Sequence, residues 1–268
     1  MPTNQIVIQT RELTKVFGSF SAVQSLDLMV RSGEIFGLIG TNGAGKSTLI
    51  KMLTTLLPPS AGTASVASFD IVEQASSVRA HIGYVPQLLS SDGNLTGYEN
   101  LLMSARLYLI PRAIRKKKIT EALERMDLAD AGNRLVGQYS GGMIRRLEIA
   151  QAMLHEPAVL FLDEPTIGLD PVARHTVWNH LLDLRKQEGV TILMTTHQMD
   201  EAEALCDRIG IMHQGRLTVT GTPKALKDHM GKGATLDDVF AANTGSDSEQ
   251  SGRINAVKQE RESARAHG

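Results

Sequence analysis

One glycine-rich stretch, GTNGAGKST (Gly40–Thr48), limits what this chain can fold into more than any other. Glycine beside regular elements costs conformational entropy, so such a run is kept where bare backbone must approach something. Ahead of it, EIFGLI (Glu34–Ile39) reads as a short buried strand. Behind it, Leu49, Met52, Leu53 and Leu56 fall at i, i+3, i+4 and i+7, a helix stripe expected to end before Pro58 and Pro59. The spacing Gly40-x-x-x-x-Gly45-Lys46-Ser47, set between strand and helix, is that of a phosphate-binding P-loop. There, successive backbone N–H groups form an anion nest and the helix N-terminus adds partial positive charge. Lys46 would reach the outer phosphates and the Ser47 hydroxyl would hold Mg²⁺. A plain glycine turn is the alternative, and the motif alone says only nucleotide triphosphate.

The chain has 268 residues, 42% hydrophobic and 21% charged, enough for one globular core or two packed lobes. Its net charge of −1 gives no reason for bulk electrostatic binding, and no nucleic-acid partner is expected. The lone cysteine, Cys206, excludes an intrachain disulfide and reads as a small buried hydrophobe, consistent with a reducing cytoplasm. MPTNQIVIQTREL at the N-terminus lacks the pattern of a signal peptide. No apolar run approaches the roughly 20 residues of a membrane span.

Strand-like pieces cluster towards both ends: QIVIQTRELTKVF, QSLDLMV and TASVASFDI early, AVLFLD and VTILMTT late. The last two are continuous apolar runs of the buried parallel-sheet type. Between Leu95 and Ala150 the pattern is helical and charged. Its basic run, Arg112 to Lys118, reads as a solvated face balanced by Glu121, Glu124 and Asp127. The expected organisation is one nucleotide-binding unit over residues 1–242, with a helical insertion at about 88–157. Residues 243–268, polar and nearly free of aromatics, read as a disordered tail.

Two further stretches carry chemistry. In VLFLDEPTIGLDP, four apolar residues deliver Asp163 and Glu164 to the carboxyl end of a buried strand, where α/β sheets bind ligands. Adjacent acids there suit a cation: Asp163 would hold Mg²⁺, and Glu164 would orient or deprotonate an attacking water. In QYSGGMIRRLEIAQAML, Met143, Leu147, Ala150 and Leu154 mark a buried helix face behind Ser140, Gly141 and Gly142. Serine is a good N-cap, but two glycines at a helix start imply a close approach. A second anion site fits them, and one from each of two chains would complete a single nucleotide site.

Taken together, these motifs resemble the nucleotide-binding subunits of ABC transporters, from about Ile6 to Thr222. GTNGAGKST (Gly40, Thr41, Asn42, Gly43, Ala44, Gly45, Lys46, Ser47, Thr48) is similar to their Walker A loop, YSGGM to their signature, and LFLDEPTIGLDP to Walker B with the D-loop. TTH matches their switch histidine, IGYVPQ their Q-loop, and LTKVFG their adenine-stacking aromatic. All stand in the family's order, with 117 residues from Lys46 to Asp163 and 34 from Asp163 to His197. SGGMIRRLEIAQAML, DEPTIGLDP and GATLDDVF are most similar to type-2 exporters, including the daunorubicin-resistance type.

The resemblance implies an α/β P-loop NTPase of ABC type: a mixed β-sheet core, an antiparallel β subdomain and an inserted α-helical subdomain. It implies ATP and Mg²⁺ as cofactors, two ATP molecules held in a head-to-tail dimer of two copies, and separate multi-pass membrane subunits driven through export. The chain would then sit at the cytoplasmic face of the cell membrane as a peripheral protein. Phe17 would stack on adenine, unless it is an ordinary strand-end aromatic. Gln87 would contact Mg²⁺ or the water, His197 the γ-phosphate, and Asp170 the opposite subunit. Thr41 stands for the usual proline, Met143 for the usual glutamine, and Ile144 at a position often basic; neither of the first two removes a phosphate contact. The region after Pro223 is short for the branch. A soluble ABC-type ATPase of translation or DNA repair is the rival, but it carries tandem cassettes or a long coiled coil. A guanine-nucleotide switch would need an N-K-x-D motif. The apolar segment QLLSSDGNLTGYENLL either receives a helix of the membrane partner or, through Leu88, Leu89, Leu95 and Tyr98, forms the insertion's own core.

Overall fold

A computed structural model describes residues 5–231 and 233–245. The long strands β1 (Ile6–Phe17) and β2 (Phe20–Arg31) form a hairpin, followed by β3 (Ile35–Ile39) and α1 (Lys46–Leu53). Next come β4 (Ala61–Val66), β5 (Phe69–Asp70), α2 (Ala75–His81) and β6 (Ile82–Val85). The helical insertion contributes α3 (Gly97–Leu107), α4 (Arg112–Arg125) and α5 (Gly141–Met153). The chain returns through β7 (Val159–Asp163), α6 (Pro171–Glu188), β8 (Thr191–Thr196) and α7 (Met199–Leu205). The described part closes with β9 (Arg208–His213), β10 (Arg216–Gly221), α8 (Pro223–Met230) and α9 (Leu236–Thr244).

Among the described residues the strands form two sheets. One is antiparallel, in the order β2-β1-β4-β5. The other runs β10-β9-β3-β8-β7-β6 and is mixed: β6, β7, β8, β3 and β9 are parallel, and β10 pairs antiparallel with β9. The expected mixed core, antiparallel subdomain and helical insertion are all present.

The two-residue period of the central strands sorts their side chains between two cores. Ile35 and Ile39, Leu160 and Leu162, Ile192 and Met194 face α5, α6 and the insertion. Phe36 and Leu38, Val159 and Phe161, and Leu193 face α1 and the antiparallel sheet. Burial on both faces explains why β3, β7 and the Ile192–Met194 centre of β8 read as apolar runs.

Three expectations change in detail. Helix α1 stops at Leu53 because Thr55 turns left-handed, φ +63°, so Leu56 leaves the stripe and is 59% exposed. Helix α9 runs to Thr244, which places the first two residues assigned to the tail in a helix; residues 246–268 lie outside the described residues. The apolar segment divides between its two alternatives: Leu88 and Leu89 are exposed, while Tyr98 packs on the larger core. Cys206 is buried, one residue beyond α7, and burial pushes its thiol pKa up. No described helix is long and apolar enough to cross a membrane.

Candidate functional site

Four neighbouring parallel strands, in the order β3, β8, β7, β6, end at one edge of the sheet. The residues just beyond their carboxyl ends are the P-loop, His197, Glu164 and Gln87, so one topological feature gathers motifs up to 157 residues apart. Ligands bind at such an edge in α/β sheets.

Two P-loop glycines have no room for a side chain. Gly45 caps α1 at φ +104°, and a Cβ there would lie 2.3 Å from the Ala22 carbonyl oxygen. At Gly40 a Cβ would meet the Met212 carbonyl oxygen at 2.5 Å. Inside the loop Lys46 is only 5% exposed, and its Nζ donates to the carbonyls of Gly40 (2.6 Å) and Thr41 (3.2 Å). Burial lowers the Lys46 pKa, an effect opposed by the nearby carboxylates of Glu164 and Asp163. The Thr41 substitution costs nothing here, because its backbone carbonyl is the group in use.

Asp163 and Glu164 stand against this loop. Ser47 Oγ donates to Asp163 Oδ1 at 3.1 Å, joining two of the expected metal ligands. Glu164 is buried, in a left-handed conformation (φ +48°), with Oε1 3.5 Å from Lys46 Nζ and Oε2 3.2 Å from His197 Nδ1. Oε2 is buried without a hydrogen-bond partner of good geometry, while the His197 side chain is 43% exposed. A hydroxyl beside a carboxylate is a hard-oxygen donor set of the kind Mg²⁺ takes, and an under-satisfied carboxylate oxygen beside it can accept a proton from water.

The cleft above the loop, about 370 Å³, is lined by Thr41 to Thr48 together with Gln87, Glu164, Ala22 and Phe20. It is large enough for a small ligand. Phe17 is not in this lining. It sits opposite Phe20 across the β1–β2 hairpin, 48% exposed, with Lys15 Nζ 5.2 Å from its ring centre. The hairpin therefore carries two exposed aromatics, of which Phe20 lines the cleft.

Ser140, Gly141, Gly142 and Asp170 do not line this cleft either. Ser140 is exposed and caps α5, its Oγ accepting the Met143 N–H at 3.3 Å. The glycine at 142 has an intramolecular cause: a Cβ there would stand 2.7 Å from the Ala173 Cβ on α6. Gly141 stays exposed. Asp170 caps α6 by accepting the Val172 and Ala173 N–H groups at 3.0 and 2.9 Å. The segments carrying Ser140 and Asp170 thus meet where α5 contacts α6.

Several supporting residues had no signal in the motifs. Thr195 Oγ1 donates to Asp163 Oδ1 at 2.6 Å and accepts the Glu164 backbone N–H at 2.9 Å. Arg145, 2% exposed, donates to the Pro86 and Gln87 carbonyls (2.7 and 2.8 Å) and pairs with Glu148 at 3.0 Å. Glu148 in turn accepts from the Ser90 N–H and hydroxyl, so α5 holds the segment that carries Gln87. Burial raises the Glu148 pKa, against its hydrogen bonds from Ser90 and the charge of Arg145. Thr166 and Trp178 both donate to the buried Glu201, at 2.6 and 2.9 Å, fixing the stretch between Glu164 and Asp170.

The chain is similar to known proteins in sequence and in fold. A family model described as ABC transporter matches residues 23–167. The daunorubicin/doxorubicin resistance ATP-binding protein DrrA of Streptomyces peucetius is 45% identical over 224 residues, 84% of this chain and 68% of that protein. The probable multidrug ABC transporter ATP-binding protein YbhF of Escherichia coli is 43% identical over 223 residues, but this chain spans only 38% of its length. Among solved structures, an ATP-binding subunit of an ABC transporter superposes with a TM-score of 0.78 at 30% identity, covering 88% of this chain and 98% of that one. The cbiO1 protein of Clostridium perfringens, part of the ABC transporter complex cbiONQ, gives 0.77 at 28%, covering 85% and 92%. With a family model matched over more than half its length and a relative at 45% identity, this chain belongs to the ABC transporter family.

Proposed function

We propose that the chain is the ATP-hydrolysing subunit of an ABC exporter, working as a head-to-tail dimer at the cytoplasmic face of a membrane. One observation carries this reading. Lys46, Ser47 and Glu164 line one cleft, with Asp163 bonded to Ser47 and His197 beside Glu164, whereas Ser140 caps an exposed helix end outside that lining. Each chain holds one half of a nucleotide site, and a second copy turned head to tail supplies the other half. Export is favoured by the relatives, two of which bear names of drug-resistance or multidrug ATP-binding proteins. The ATPase unit, expected over residues 1–242, is assigned through the end of α9 at Thr244, with its helical insertion at about 88–157.

In this reading the backbone N–H groups from Gly40 to Thr48 cradle the phosphates of ATP, and Lys46 trades its loop carbonyls for the outer phosphates. Ser47 and Asp163, with Gln87 from the same lining, would hold Mg²⁺, which neutralises charge on the phosphates when bound. Glu164 accepts a proton from the attacking water, and His197, 3.2 Å away, steadies the carboxylate and contacts the γ-phosphate. Gln87 senses the same phosphate end, Phe17 stacks on adenine, and Ser140 to Gly142 with Asp170 act on the partner's nucleotide. Dimer closure on ATP and opening after hydrolysis would drive the transport cycle.

The membrane partner is assigned to a cleft of about 440 Å³ between the sheet and the insertion, lined by Leu56, Tyr84, Pro86, Leu107 and Tyr108 among others. It adjoins the exposed Leu88 and the segment carrying Gln87, so a cytoplasmic helix seated there would feel nucleotide state. Affinity purification from detergent-solubilised membranes tests the whole reading. The expected result is a multi-pass protein held by the chain, with ATP turnover that Lys46→Ala abolishes. Recovery of the chain alone, from every membrane fraction that contains it, would count against a transport role.

A further inference from the structure

Strand β8 is buried at every position, yet it carries a hydroxyl in its interior at Thr195, which has no exposed surface. In the parallel ladder Thr195 lies opposite Asp163. Valine has the same shape and brings no polar group into a core, so a buried hydroxyl at this position is explained by its two bonds. Both bonds belong to the acid pair: Thr195 Oγ1 donates to Asp163 Oδ1 (2.6 Å) and accepts the Glu164 N–H (2.9 Å). Ser47 Oγ donates to the same Oδ1 from the P-loop side, at 3.1 Å.

We infer that Thr195 is a positioning residue for ATP hydrolysis, which sets the Asp163 carboxylate for the metal and fixes the backbone of Glu164. Two hydroxyl protons converging on Oδ1 prevent the carboxylate from rotating and leave Oδ2 free of them. Ser47 gives its proton to Asp163 and so keeps its lone pairs for a cation. The second bond helps hold Glu164 in the left-handed region, φ +48°, which L-residues adopt uncommonly and which carries its carboxylate between Lys46 and His197. One side chain thus ties the metal-holding acid to the acid that meets water. The inference rests on the ATPase reading above.

ATP binding measured by equilibrium dialysis, in EDTA and across a Mg²⁺ titration, tests it without recourse to turnover. Thr195→Val is expected to bind ATP as wild type in EDTA, where Lys46 and the loop N–H groups act alone. Its Mg²⁺-dependent gain in affinity should fall about 10–100-fold, the usual scale for losing a group that orients a metal ligand. Thr195→Ser keeps the hydroxyl and should restore wild-type Mg²⁺ dependence. If valine prevents folding, Thr195→Cys retains the volume with a weak donor and should show the same loss. A residue that merely packs the sheet would lower the melting temperature and leave the Mg²⁺ titration unmoved, and that result overturns the role. So does a serine variant as impaired as valine. A wild-type chain that binds ATP with no gain from Mg²⁺ removes the role as well, and is told apart because every variant then behaves like wild type.

Discussion

Glu164→Gln separates binding from chemistry at this site. The carboxylate is 6% exposed and has Lys46 Nζ at 3.5 Å and His197 Nδ1 at 3.2 Å. Glutamine keeps the shape and one acceptor oxygen, so Lys46 retains its bonds to the Gly40 and Thr41 carbonyls and loses only a charge partner. Folding stability should therefore drop by about 1–3 kcal/mol, the scale of weakening one buried charge-assisted contact. The chemical step loses its proton acceptor. General-base assistance contributes roughly 10²–10⁴-fold, about 3–5 kcal/mol of barrier. Because Lys46, Ser47 and Asp163 are untouched, Mg·ATP should remain bound and the dimer should persist. Lys46→Ala, by contrast, should bind ATP weakly and accumulate no dimer. Both variants can be run on a sizing column with Mg·ATP beside a steady-state turnover assay and a thermal melt. A Glu164→Gln protein that hydrolyses ATP at the wild-type rate would refute the assignment of Glu164 as base.

The remaining predictions concern packing, acid and the partner. Gly142→Ala places a Cβ 2.7 Å from Ala173 Cβ, both on helix backbones; overpacking of about 1–3 kcal/mol should appear as a lower urea midpoint, and an unchanged midpoint would show that the helices part freely. His155 stacks on Tyr108 at 3.7 Å, and burial lowers its pKa below the ordinary 6.5, against a hydrogen bond with the Ile82 carbonyl. The unfolded chain then binds more protons below about pH 6.5, so stability present above that pH is lost as pH falls through the folded-state pKa. His155→Phe should flatten this acid slope in urea titrations, and an identical slope would exclude His155 as its source. A photo-cross-linker at Leu88, 80% exposed, should capture a membrane protein in intact cells; capture of nothing but a second copy of the chain would sink the proposed docking cleft.

Much of the site was legible because its motifs are local: a loop that tolerates only glycine at two close approaches, and acids delivered by an apolar strand. What escaped depends on pairing across the fold. Thr195 reads as an ordinary β-former, and only its register against Asp163 exposes its role. Arg145 and Glu148, three apart on a helix, look like a surface ion pair, yet both are buried because α5 packs under the segment carrying Gln87. Gly142 carries a constraint that its motif did not signal, since a Cβ there would also meet Ala173 of the same chain. Phe17 and Phe20 are both exposed on one hairpin, and a motif match cannot tell which faces the phosphate loop. The helix stripe overran at Leu56 because periodicity does not register a left-handed residue such as Thr55.

Mixing two defective chains tests most directly the claim that each active site is shared. Ser140→Arg in one chain and Lys46→Ala in the other place both defects in one site when the chains pair, and leave the second site with Lys46 and Ser140 intact. Each parent homodimer should be inactive. The isolated heterodimer, with different tags on its two chains, should regain part of the wild-type ATP turnover. Heterodimers that form and remain as inactive as either parent would contradict a site assembled from two copies.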